Sequence, residues 1–294
     1  MRRRRFIALA AAFAATPAAA SPVRWRGRAL GAEAEITLHA PPALAAEALA
    51  QAQDLLAEIE ALFSLHHPGS ALARLNARGA LTLRDRRFHA LLDACDDLHR
   101  RTQGRFDPTV QTLWQALAAG HDPAAARRTI GWHRIARTPS RISLGPGQAL
   151  TLNGIAQGYA TDLIAEAFRA LGLTQVLVHI GEFRALGGPW RIGIEDPAHG
   201  AVAARRIEGR AIATSGPAAT LVGGTPHILD PSSPAPPLWS SVTVEAATAT
   251  LADGLSTALC LADLPTIRAI HAQTPDAHRI TLADPVGDIT TVAR

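Results

Sequence analysis

The chain has 294 residues, 48% of them hydrophobic, enough to bury a substantial core in one large domain or two small ones. Its 29 basic and 25 acidic residues give a formal charge of +4, but four of the arginines stand at positions 2 to 5. Without that leading segment 25 basic residues face 25 acidic ones, so charge supports neither a nucleic-acid partner nor a membrane-surface role.

The leading segment reads as a secretory signal. Arg2 to Arg5 precede an apolar run from Phe6 to Ala15, shorter than the roughly 20 residues that cross a bilayer. Ala18-Ala19-Ala20 supplies small residues for a signal peptidase, which predicts a leader over 1–20, cleaved after Ala20, and a mature domain over 21–294. Arg3-Arg4-Arg5-Phe6-Ile7 fits the twin-arginine pattern, with an Arg-rich Sec signal as the alternative. No Cys follows the run, which argues against a lipid anchor. The expected product is periplasmic and does not span the membrane. Cys95 and Cys260 fall in different helical segments, and the sequence leaves open whether they pair or stay as buried thiols.

Arg24 to His39 alternates loosely and predicts an opening strand. Leu44 to Phe63 places Leu55, Leu56, Ile59 and Leu62 at helical spacing after Pro41-Pro42, and Phe88 to Arg101 does the same with Leu91, Leu92, Cys95 and Leu98. Asp107-Pro108 opens a short helix through Trp114. Arg141 to Leu152 is strand-like and Ile155 to Leu171 helical. Strands are then expected over Thr174–Ile180, Trp190–Glu195, Arg205–Ala213 and Ser241–Ala246. Helices over Leu251–Leu261 and Pro265–Gln273 and a final strand or two complete the chain. Helices and strands mix without regular βαβ alternation, no linker divides the chain, and no repeat is visible. The fold class is α+β, one compact domain with mixed sheets and packed helices.

Common catalytic signatures are missing. There is no G-x-x-x-x-G-K-[ST] loop and no lysine to serve one, no G-x-G-x-x-G after a strand, no H-E-x-x-H, no C-x-x-C and no G-x-S-x-G. Four clusters remain. Asp253 and Thr257 are four apart and share one helix face; a carboxylate and a hydroxyl suit Mg²⁺, although the same spacing serves a helix that Asp253 merely decorates. In Thr151-Leu152-Asn153-Gly154-Ile155-Ala156-Gln157-Gly158 a strand runs into a helix. Gly154 permits close approach there and free N–H groups favour a pyrophosphate, or the segment is a plain connection. His227, before Ile228 and Asp230-Pro231, is a candidate base or part of a turn. Phe106-Asp107-Pro108-Thr109-Val110 opens a helix and, taken alone, is structural.

Taken together and in this order, the clusters resemble the ApbE family, the FAD:protein FMN transferases, from about Leu30 to about Leu261. The likeness rests on Leu62-Phe63-Ser64 with Ser70 and Leu75-Asn76, on Phe106 to Val110, and on Gly154-Ile155-Ala156-x-Gly158-Tyr159-Ala160 with Asp162. It continues through Ala213-Thr214-Ser215-Gly216, His227-Ile228-x-Asp230-Pro231, and Ala252-Asp253 with Thr257. The resemblance implies Mg²⁺ held by Asp253, Thr257 and the Gly154 carbonyl. It implies an FAD site lined by Leu30, His66, Asp107, Pro108, Thr109, Thr151, Gln157, Thr214, Ser215 and Ile228. His227 would be the base that accepts the proton of a Thr or Ser hydroxyl, so that FMN is transferred and AMP released. The implied partner is an acceptor flavoprotein of a membrane electron-transfer complex. The chain departs from the family pattern at Gln157, where Lys is frequent, at Thr151, at Gly181-Glu182-Phe183 in place of Gly-Gly-Asp, at His66 in place of Tyr, and at Pro217-Ala218-Ala219. Gly-Ile-Ala-Gln-Gly-Tyr and Ile-Gly-Glu-x-Arg-Ala-Leu-Gly, with the leader, look similar to the branch associated with nitrous-oxide reductase maturation. Two other readings follow from these departures: an FAD-binding maturation factor without transfer activity, and a Mg²⁺-dependent FAD pyrophosphatase.

Overall fold

The computed structural model describes residues 21–294; the leader expected over 1–20 lies outside the described residues. β1 (Val23–Ala29) turns at Leu30-Gly31 into β2 (Ala32–Leu38), followed by α1 (Pro42–Phe63), α2 (Ala71–Arg78) and β3 (Ala80–Thr82). Next come α3 (Arg86–Arg101), a 3₁₀ turn at Pro108–Val110, α4 (Gln111–Ala118), α5 (Pro123–Arg127), β4 (Ala136–Thr138) and β5 (Arg141–Ser143). After an irregular stretch, α6 (Ala156–Ala170) leads into the hairpin β6 (Val176–Ile180) and β7 (Phe183–Leu186), then β8 (Trp190–Asp196), β9 (Gly200–Ile207) and β10 (Ala211–Ser215). β11 (Leu221–Val222), β12 (Thr225–Pro226), β13 (Ser241–Ala246), α7 (Ala249–Leu259), α8 (Leu264–Gln273), β14 (Ala277–Ala283) and β15 (Ile289–Ala293) complete it.

Eight strands form one sheet in the order β1-β2-β6-β7-β10-β13-β14-β15, antiparallel at every pairing. Its residues alternate between two apolar layers, as the period of a strand requires. Val176, Val178 and Ile180 of β6 with Val242 and Val244 of β13 join the main core with the apolar faces of the helices. Leu177, Ala185 and Ile212 point the other way, into a smaller core closed by Trp190, Ile192, Ile194 and Ile207 of the β8–β9 ribbon. Both faces of the central strands are covered, so the α+β expectation holds.

Three predicted strands are interrupted, each at a glycine. The opening strand is a hairpin, because Leu30 and Gly31 both take positive φ, 49° and 81°. Arg141–Leu152 pairs only as far as Ser143, where Gly145-Pro146-Gly147 ends the ladder and Gly147 takes a φ of 70°. The strand expected over Arg205–Ala213 is the end of β9 and the start of β10, separated around Gly209 at a φ of 60°. The irregular stretch after β5 is held by a side chain: Asn76 donates to the Leu150 carbonyl at 2.8 Å and accepts its N–H at 2.8 Å. Cys95 and Cys260 are free, and burial pushes both thiols well above their ordinary range.

α6 and α7 pack face to face, and one residue sets their separation. A Cβ on Gly158 would lie 2.4 Å from the Ala249 carbonyl oxygen, so only glycine fits. Asp162, one turn further along α6, accepts the N–H groups of Ala249 and Thr250 at 2.9 and 2.8 Å and so caps the start of α7. The substitution Gly158→Ala is expected to destabilise the fold by about 2–3 kcal/mol through overpacking against backbone. Urea unfolding followed by circular dichroism checks it; an unchanged midpoint would show that the helices can part freely.

Candidate active site

A cavity of about 2090 Å³ opens where the N-terminus of α6, the ends of β6 and β10, the segment after α3 and the face of α7 converge. Leu30, His66, Asp107, Pro108, Thr151, Gly154, Gln157, Thr214, Ser215, His227, Ile228, Asp253 and Thr257 all line it. Thr109 does not. It is fully buried behind the wall, its hydroxyl bonded to Asp107 Oδ1 and accepting the Gly131 N–H at 2.8 Å. In the structure the Thr109 side chain braces Asp107 and the Gly131 backbone from behind the wall. Asp107 is also turned largely inward, its Oδ1 accepting the Thr109 N–H at 2.8 Å and its Oδ2 the Trp132 N–H at 3.3 Å.

The α7 end of the cavity is built from oxygen donors. Thr248, not Asp253, caps the helix, accepting the Leu251 N–H at 3.2 Å. Asp253 is 4% exposed, and its Oδ2 accepts the Gly158 N–H at 2.9 Å. Burial, with the nearby charge of Asp162, pushes its carboxyl up to about 7 against the restraint of that N–H. Thr257 lies one turn on, its hydroxyl 3.3 Å from Ser215 Oγ. Gly154 meets it closely, for a Cβ there would stand 3.0 Å from Thr257 Oγ1. Among the described residues no three His, Cys, Asp or Glu side chains form a metal cluster. A carboxylate, a hydroxyl and a carbonyl make the mixed hard-oxygen set that Mg²⁺ takes with water and phosphate.

The lining charges point the same way. Glu33, Glu60, Asp107, Glu182, Glu195 and Asp253 line the cavity against Arg28 and Arg105 alone. Such a surface repels a pyrophosphate unless a cation intervenes, so the residues present fit a divalent metal.

Leu30 is held in its left-handed conformation by an N–H bond to Glu60 Oε1 at 2.8 Å, and its carbonyl accepts from Gln157 Nε2 at 3.4 Å. His66 sits exposed at the rim. The opposite wall is apolar: Ile192, Ile194 and Ile212 stand beside His179 and Phe183, whose rings stack at 4.0 Å with 3° between planes. Burial lowers the His179 pKa, against the raising effect of its Gly181 hydrogen bond and of Glu35 and Glu33. Sequence reading missed this wall. Its signal was the apolar alternation on both faces of Val176–Ile180 and Trp190–Asp196.

His227 stands in the loop after β12. Its Nδ1 lies 2.8 Å from the Pro217 carbonyl and 3.3 Å from that of Thr220. Two carbonyls can only accept, so in the neutral ring Nδ1 carries the proton and Nε2 the lone pair. The turn thus fixes the orientation of the imidazole.

A model of the ApbE family matches residues 30–281. The chain belongs to the ApbE family. An FAD:protein FMN transferase of Chlamydia pneumoniae is 30% identical over 179 residues, 54% of this chain and 55% of that protein. The match thus spans about half of that relative's length. The flavin transferase ApbE of Vibrio cholerae superposes with a TM-score of 0.77 at 24% identity, covering 93% of this chain and 97% of that one. The apo flavinyl transferase ApbE of Pseudomonas stutzeri gives 0.80 at 23%, covering 95% and 97%. The ApbE protein of Thermotoga maritima gives 0.81 at 25%, covering 92% and 96%. The ApbE fold is therefore present over nearly the whole described chain.

The burial of Thr109 has a testable consequence. Thr109→Val strips the Gly131 N–H and Asp107 of a buried partner and is expected to cost about 1–3 kcal/mol of stability. Calorimetric unfolding checks the loss; FAD affinity of the folded fraction should stay unchanged, and a selective fall in that affinity would return Thr109 to the binding surface.

Proposed function

We propose that this chain transfers the FMN half of FAD to a Thr or Ser hydroxyl of a partner protein, with Mg²⁺ as cofactor and AMP as leaving group. The observation that carries the reading is the meeting of Asp253, Thr257, Gly154 and a carbonyl-oriented His227 in one acidic cavity. Asp253, Thr257 and the Gly154 carbonyl are the residues that would hold the cation. When bound, it offsets the charge of the pyrophosphate and of the phosphorus under attack.

The chain's own groups supply the remaining steps. The apolar wall of Ile192, Ile194 and the stacked His179–Phe183 pair accepts a planar ring. The first N–H groups of α6 are already engaged, Ala156 with the Leu152 carbonyl and Gly158 with Asp253 Oδ2, so the phosphates rely on the cation. His227 Nε2 takes the proton from the acceptor hydroxyl as its oxygen bonds to the FMN phosphorus. The bond from that phosphorus to the bridging oxygen breaks, and AMP departs with the bridging oxygen.

The family membership supports the reaction class, and the name of the Chlamydia relative supports FAD as donor. The expected leader supports a periplasmic setting, and with it an acceptor among exported flavoproteins of membrane electron transfer. No helix among the described residues is long and apolar enough to cross a membrane.

The test mixes the chain with FAD, Mg²⁺ and a candidate acceptor domain, resolved on a denaturing gel under ultraviolet light. A fluorescent acceptor band is expected, lost with Asp253→Asn and reduced about 10²–10⁴-fold in rate with His227→Ala. AMP release beside a dark acceptor would replace transfer by hydrolysis. Retained FAD without AMP would replace it by a binding role.

A further inference from the structure

The cavity that Asp253 lines holds another buried carboxylate, Glu182, with no role assigned from the sequence. Glu182 stands at the tip between β6 and β7, after Gly181. That tip is tightly held: Gly181 takes a φ of 88°, and a Cβ on it would lie 2.5 Å from Gln157 Oε1. The Glu182 carbonyl closes the tip by accepting the Ile180 N–H at 3.1 Å. The side chain is only 8% exposed, yet it lines the cavity. Its Oε2 accepts the Thr214 N–H at 3.2 Å, and its Oε1 receives no donor from the described residues.

Geometry leaves the other oxygen of this side chain for a ligand: Thr214, whose N–H holds Oε2, precedes Ser215, and Ser215 Oγ stands 3.3 Å from the Thr257 hydroxyl. No arginine or histidine among the described residues pairs with Glu182 or Asp253. Arg184, two residues on, is turned away, donating to the Ala247 carbonyl with its Nε 3.8 Å from Asp162. Buried carboxylates persist as ions only when paired or bound to a metal.

We propose that Glu182 is a further ligand of the divalent cation held by Asp253 and Thr257, so that the β6–β7 tip and α7 grip it from two sides. This rests on the cation site of the proposed function and adds a consequence to it. With one carboxylate, cation binding would depend on the nucleotide phosphates; with two, the free protein holds the cation before FAD arrives. Glu182 lies in the Gly181-Glu182-Phe183 tip, where this chain departs from the family's Gly-Gly-Asp.

The test is a titration of the full chain with Mn²⁺, followed by electron paramagnetic resonance in the absence of FAD. Binding is expected, weakened at least about tenfold by Glu182→Gln, largely kept by Glu182→Asp, and weakened at least as much by Asp253→Asn. Glu182→Gln can still accept the Thr214 N–H through Oε1. Its metal-free melting temperature should match or exceed that of the parent, because a buried charge is removed. A merely structural Glu182 would leave Mn²⁺ affinity unchanged in Glu182→Gln while Asp253→Asn lost it; that result overturns this inference and spares the proposed function. Absence of Mn²⁺ binding by the parent without FAD also overturns it, and Mn²⁺ binding indifferent to both substitutions removes the cation site as well.

Discussion

The close approach of α6 and α7 at Gly158 is the contact on which the rest of the site depends. Two helices separated in sequence by half the strands of the sheet are brought together until a backbone N–H of one reaches a carboxylate of the other, at 2.9 Å from Asp253. Asp162 completes the joint by capping α7 from α6. Backbone donors thus offset part of the cost of burying two carboxylates. The same joint sets Gly154, at the entrance to α6, against Thr257 on α7. A single spacing therefore decides whether a carboxylate, a hydroxyl and a carbonyl can face one point.

The cavity that results is acidic, and that is a consequence of composition as much as of shape. No lysine occurs anywhere in the chain, and Gln157 brings an uncharged amide to the position where its family often has an ammonium. Its amide instead ties Leu30 into the wall. An anion bound there would need a cation beside it, an interaction screened less by salt than one with a surface lysine. The planar-ring wall on the far side has the opposite character, apolar and neutral, because the β8–β9 ribbon closes the second face of the sheet. The contrast orients a ligand with one charged and one aromatic end.

His227 illustrates how a loop without regular structure can hold an imidazole in one orientation. The His227 backbone N–H and ring Nδ1 both turn toward the Pro217 and Thr220 carbonyls, at distances between 2.8 and 3.3 Å. Orientation by carbonyls fixes the tautomer without adding a negative charge beside the ring. That is economical in a cavity that already carries six carboxylates.

Much of this was readable from the chain itself. The helical periodicities, the Asp-Pro start at 107–108 and the four-residue spacing of Asp253 and Thr257 depend on local backbone geometry, which local residues dictate. Motif order supplied the family, and through it a set of expected binding positions, all of which line one cavity except Thr109. Strand interruptions were misjudged where one glycine decides between continuation and a turn. What only the tertiary structure decided is which polar groups are buried without a partner. Glu182 looks in sequence like any acidic turn residue; its chemistry comes from the loss of water around it and from the nearness of Asp253, whose charge lies far away along the chain. Desolvation and charge–charge coupling act through space, so no local pattern encodes them.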